Sequence, residues 1–130
     1  MSYYFSTIVN DSFSNAIQKV TDALKTEGFG ILTEIDMKAT LKKKLDVDIA
    51  PYTILGACNP PFAYQALQAE DKIGTMLPCN VIIQEKAPGK VEVSAVDPAA
   101  SMQAIQNVEL EKIAGTVRKK LQKVIQHLAK

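Results

Sequence analysis

The chain has no tryptophan, one histidine and two cysteines. Without tryptophan, and with few aromatics of any kind, it lacks the stacking platform on which single-stranded nucleic acid is held. One imidazole, His127, sits three residues from the end, so a cysteine–histidine pair would need that last turn to dock beside a cysteine. Two cysteines are too few for a disulfide scaffold. They also lack the close Cys-x-x-Cys or His-x-x-x-His spacing of a metal centre, so no metal site is expected even if Met76 or Met102 is added to Cys58, Cys79 and His127. Neither sign of charge dominates: 15 basic against 14 acidic residues leave +1, too little to recruit nucleic acid or acidic membrane at long range. No apolar run reaches the length that spans a bilayer. The start, Met1 to Ser6, lacks the basic and apolar regions of a secretory signal. A phosphate-binding glycine loop, a serine elbow and a metalloprotease helix are all missing. These absences predict a reduced cytoplasmic protein with no nucleic-acid or membrane partner, and they point to no particular cofactor.

What remains is an ordinary globular composition, 47% hydrophobic and 22% charged, over 130 residues. That length predicts a single domain, 1–130, which buries roughly two thirds of its unfolded surface without covalent help. Tyr3 to Val9 is rich in aromatic and β-branched residues and predicts a first strand. Asn10-Asp11-Ser12 offers capping oxygens, and Phe13, Ile17, Val20 and Leu24 form one stripe of an amphipathic helix. Gly28 stands where a left-handed helix end is needed, and strand character returns from Gly30 to Ile35. Asp36 then caps a short helix, Met37 to Leu45, with Met37, Leu41 and Leu45 on one face. Lys38, Lys42, Lys43 and Lys44 make its other face basic, which is read as a solvated surface rather than a phosphate site.

Tyr52 to Cys58 predicts the third strand. Pro60 and Pro61 suit the first turn of a helix running through Phe62 to Ala69, which exits at Asp71-Lys72-Ile73-Gly74. Cys79 to Glu85 and Val91 to Val96 predict strands four and five, joined at hairpin length by Ala87-Pro88-Gly89-Lys90. Asp97-Pro98 ends the sheet, and one or two helical turns follow before Ile105. Leu110, Ile113, Ala114, Val117, Leu121, Val124, Ile125 and Leu128 then mark a long helix. Glu109 and Glu111 near its start, and Arg118, Lys119, Lys120, Lys123 and Lys130 later, match the helix dipole.

The expected fold is therefore α+β. It is a β-α-β4-α two-layer domain, with a mainly antiparallel sheet, two long helices on one face and short helices in the loops. In the fifth strand Val91, Val93 and Ala95 alternate with Glu92, Ser94 and Val96. The uncovered face is thus partly apolar and suited to a second copy, so a homodimer is expected.

Glu34-Ile35-Asp36, Ile54-Leu55-Gly56-Ala57-Cys58-Asn59-Pro60, Leu77-Pro78-Cys79-Asn80-Val81 and Ala95-Val96-Asp97-Pro98 resemble the signature blocks of the domain-of-unknown-function family 302. The likeness covers nearly the whole chain. It implies a fold similar to that of the TATA-binding protein and a small bacterial or archaeal protein. It implies no activity, and a shared fold does not carry DNA binding with it.

Within these blocks Cys58 stands at a strand end, just before a helix N-terminus. The dipole and free N–H groups there favour an anion and lower a thiol's pKa. Cys79 would be its resolving thiol or a second ligand, but the preferred reading of both cysteines is as small buried hydrophobes. Asn59 and Asn80 suit hydrogen bonding to a loop or a ligand. Glu34 and Asp36 share one side of a continuing strand, though Asp36 also reads as a helix cap, and Asp97 has the same double reading. The tentative ligand site is Asp36, Cys58, Asn59, Cys79, Asn80 and Asp97, with no catalytic residue named. The favoured function is a non-catalytic module that binds a small-molecule ligand or a partner as a homo-oligomer. The alternative is a thiol-dependent enzyme or a redox or metal-handling protein using Cys58 and Cys79.

Overall fold

The computed structural model describes residues 2–129; Lys130, assigned above to the last turns of the long helix, lies outside them. In chain order the elements are β1 (Tyr4–Val9), α1 (Phe13–Thr26), β2 (Gly30–Asp36), α2 (Met37–Leu45), β3 (Tyr52–Cys58) and α3 (Pro60–Ala69). They continue with a 3-10 turn (Asp71–Met76), β4 (Cys79–Ala87), β5 (Lys90–Val96), α4 (Pro98–Ser101) and α5 (Val108–Leu128). Among the described residues the strands form one sheet in the order β1-β5-β4-β3-β2, and every neighbouring pair is antiparallel. The predicted α+β class and its long elements are therefore those observed. β1 and β2 are the two edges, and α1 crosses the whole sheet between them.

Alternation decides what each strand gives to the core. Val91, Val93 and Ala95 of β5 sit opposite Val9, Thr7 and Phe5 of β1, and Ala95 and Val93 meet Val81 and Ile83 of β4. These residues face α1 and α5, whose Ala16, Val20, Leu24, Val117, Leu121 and Val124 close the main core. Both long helices lie on this one face, as their apolar stripes require. Tyr4, Ile8, Ile35, Ile82 and Tyr52 point the other way, onto the face opposite the two long helices.

Local chemistry explains the helix ends. Ser12 caps α1 by accepting from Asn15 N at 3.2 Å. Gly28 turns the chain away at φ +87°, a conformation that costs a glycine nothing. Asn107 caps α5 and also donates from Nδ2 to Ala69 O at 2.8 Å, tying the start of α5 to the end of α3. In α2 the predicted apolar face is only partly used. Met37 and Leu41 are half-buried, but Leu45 is exposed because the helix lies against the sheet edge by its first turns. Its lysines act locally: Lys38 Nζ donates to Ile49 O at 2.7 Å, and Lys42 pairs with Asp46 and Asp48.

A second, smaller apolar cluster gathers Ala66, Ile73, Met102, Leu110 and Ala114 from α3, the 3-10 turn, the end of α4 and α5. It stands beside the main core at the end of the sheet where β3 ends and β4 begins. The two clusters meet without closing, and the gap between them is an apolar cavity.

Candidate functional site

The cavity holds about 320 Å³ and is bounded by α3, α5, the end of β3 and the start of β4. Its wall is apolar: Phe29, Phe62, Leu77, Met102 and Ile113 are representative, and among the described residues no charged side chain lines it. Cys58, Asn59 and Cys79 supply its polar atoms. Leu32 reaches it through a bulge in β2, where the register with β3 shifts between Ile31 and Thr33. An extra residue at that edge re-aims one side chain, which is how Leu32 joins the wall. Gly56 is required nearby, because a Cβ there would come within 2.6 Å of the Pro78 ring and would also strike Thr33.

The structure brings three of the six predicted residues to this cavity. Cys58 and Cys79 are free thiols, the first half-buried and the second buried. The register places Ala57, not Cys58, opposite Cys79, so the cysteines are diagonal neighbours rather than a facing pair. Burial pushes the Cys79 thiol up to about 11, and the nearby Cys58 adds to the shift. Cys79 is therefore held protonated and is a poor resolving thiol. Asn59 is buried at the N-cap of α3 but does not cap it. Its Nδ2 instead donates to Glu27 O at 3.0 Å, pinning the start of α3 to the end of α1.

The predicted anion site at this helix start is largely dismantled by its own sequence. Of the first-turn residues Pro60, Pro61 and Phe62, only Phe62 carries an N–H, and Ala63 N already donates to Asn59 O at 3.0 Å. The site is consequently poor at holding a thiolate or any other anion.

The other three residues lie elsewhere. Asn80 alternates with Cys79 and is exposed on the open sheet face, where it lines a shallow groove with Tyr4, Tyr52 and Gln84. Asp36 pairs with Thr53, five residues along β3 from Cys58 and so about 17 Å away. There it caps α2, accepting from Ala39 N at 2.9 Å. Asp97 is buried beside the cavity but turned to structural work. It accepts from Ala99 N and Ala100 N at 3.0 and 3.4 Å and from Arg118 Nε at 3.0 Å. Glu34, considered beside Asp36, is exposed on β2.

His127 is exposed in the last turn of α5, ten residues beyond Val117 on the cavity wall and thus about 15 Å along the helix. Among the described residues no cysteine–histidine pair forms, and no group of three or more His, Cys, Asp or Glu could hold a metal ion. Among the described residues no helix is long and apolar enough to cross a membrane. Sequence reasoning missed most of the wall. Phe62, Ala63 and Ile113 were read only as helix positions, and the bulge that places Leu32 leaves no mark in composition.

Three chains among solved structures match this one. One is the crystal structure of an uncharacterized conserved protein, DUF302, from Bacillus stearothermophilus, with a TM-score of 0.90 and 24% sequence identity. The match covers 98% of this chain and 99% of that one, and at this identity it speaks for the fold alone. Among curated proteins none matches. The sequence blocks, the sheet order and this fold likeness converge with a family match over residues 5–128: the chain belongs to the family described as Domain of unknown function DUF302.

Proposed function

We propose that the protein is a non-catalytic module that binds a small, mainly apolar ligand in the cavity between α3, α5 and the strand ends. The observation that carries this reading is the cavity itself: about 320 Å³, walled by apolar side chains, with its few polar groups gathered at Cys58, Asn59 and Cys79. Ligand sites are typically apolar clefts of about 300–1,000 Å³ with a small number of placed polar groups. The prolines at the start of α3 and the uncharged wall favour a neutral ligand over an anion. Naphthalene near saturation should raise the melting temperature, because a ligand that binds only the folded state stabilises it. Ala63→Phe, which fills the cavity from α3, should remove the effect. A parent protein whose melting does not respond would overturn the reading.

The same proposal includes a homodimer formed through the open sheet face. Tyr4, Ile8 and Ile35 are exposed there, and Glu92 on that face is already paired with Lys86 at 4.0 Å. Native mass spectrometry of the protein from its own host would report both the oligomer and any retained ligand. A reducing cytoplasmic setting, a single domain over 1–130 and a bacterial or archaeal source belong to this reading. So does a fold like that of the TATA-binding protein, which the order of the long elements supports.

A thiol-dependent enzyme is the second reading, favoured by one observation: Cys58 is half-buried on the cavity wall, within reach of a bound molecule. Alkylation of Cys58 followed against pH separates the two. Reaction well below the ordinary thiol value of about 8.5 supports the enzyme, and inert behaviour supports the module.

A further inference from the structure

Asn59 is only 7% exposed, yet its side chain is half used. Nδ2 donates to Glu27 O at 3.0 Å, and since a carbonyl can only accept, this bond fixes which end of the amide is which. Oδ1 is left without a donor among the described residues: the helix N–H groups it would cap are absent at Pro60 and Pro61, and α3 receives no side-chain cap. The atom is not sealed off, because among the described residues no side-chain nitrogen or oxygen is both fully enclosed and unpartnered. Asn59 is one of the residues that line the cavity. An acceptor without a protein partner is left to water or to a ligand, and a ligand that carries a donor can use it where a purely apolar one cannot.

Size and charge narrow the ligand further. A cavity of about 150 Å³ holds benzene, and this one is about 320 Å³, roomy enough for two fused rings. No charged side chain lines its wall among the described residues, which favours an uncharged ligand.

We propose that Asn59 Oδ1 is the specificity-determining acceptor of the cavity, and that the ligand is a compact, uncharged, mainly apolar molecule with one O–H or N–H donor. The inference rests on the cavity being a binding site, and its test keeps the two apart. At neutral pH, 2-naphthol and 2-methylnaphthalene differ in little but a hydroxyl in place of a methyl. Their dissociation constants are measured on the parent protein and on Asn59→Leu, which keeps the bulk and removes the acceptor. The parent should bind 2-naphthol at least as tightly as the more apolar methyl compound. In the variant the ratio should move toward 2-methylnaphthalene by about tenfold or more, as a buried hydroxyl without a partner implies. An unchanged ratio overturns the role of Asn59 and leaves the cavity as a ligand site; failure of the parent to bind either compound overturns both. If Asn59→Leu does not fold, carbon NMR of the parent decides. The Asn59 side-chain carbonyl should shift with 2-naphthol and not with 2-methylnaphthalene, and equal responses overturn the proposal.

Discussion

Arg118 in α5 donates from Nε to Asp97 Oδ2 over 3.0 Å, joining the middle of the last helix to the point where β5 leaves the sheet. The guanidinium also lies 5.2 Å from the Phe5 ring centre on β1, and Asp97 N donates to Tyr3 O at 2.8 Å. One carboxylate therefore caps α4, anchors α5 and sits against the sheet edge, which accounts for its burial.

Asp97→Ala removes the cap and the ion pair together. Losing a cap costs about 1 kcal/mol, and the partly exposed Arg118 can recover water, so a total of about 2 kcal/mol is expected in urea unfolding. Asp97→Asn keeps an acceptor for the two N–H groups and should cost less. Equal losses for the two variants would place the stabilisation in the charge rather than the cap.

Leu121 and Lys119 test the faces of α5. Leu121 is fully buried in the main core and Lys119 is exposed. Leu121→Ala should cost about 2–5 kcal/mol, through lost burial and the void it leaves. Lys119→Ala should stay within about 0.5 kcal/mol. Similar effects in chemical unfolding would mean that the helix is turned differently.

Cys79 makes a prediction about alkaline stability. Its thiol is raised from 9.0 to about 11 by burial and by Cys58. The unfolded chain therefore releases this proton first as pH rises, and the folded chain binds more protons between those values. Stability is fully present below pH 9 and falls as pH climbs toward about 11, by on the order of 2 kcal/mol. Unfolding free energies at pH 8 and pH 11 should fall more for the parent than for Cys79→Ala, which lacks the titrating group. Parallel losses would show that other groups carry the alkaline effect.

Much of the architecture was legible in the chain because it follows from local rules. The α5 stripe has period 3.6, β5 alternates at period 2, Pro88-Gly89 lies between two strand patterns, and Ser12, Gly28, Asp36 and Asp97 sit where helix ends need them. Each signal is read within a few residues of itself. The wide loss of N–H groups at Pro60 and Pro61 was legible too, although its consequence for an anion at Cys58 appears only once α3 is seen to begin there.

The site was different. Adjacent residues in a strand point to opposite faces, so Cys79 reaches the cavity while Asn80 does not, and only the sheet's pairing tells which face holds the helices. Asp36 and Cys58 belong to neighbouring sequence blocks but to opposite ends of the β2–β3 pair. The sequence by itself determined the elements, their caps and the apolar faces that had to be buried, because these depend on backbone preference and periodicity. Tertiary structure alone decided that two apolar clusters would meet imperfectly, that a bulge would bring Leu32 to the gap, and that Asn59 would spend one end of its amide on Glu27. Those outcomes depend on contacts between residues far apart in the chain, where packing volume and register, rather than local propensity, set the result.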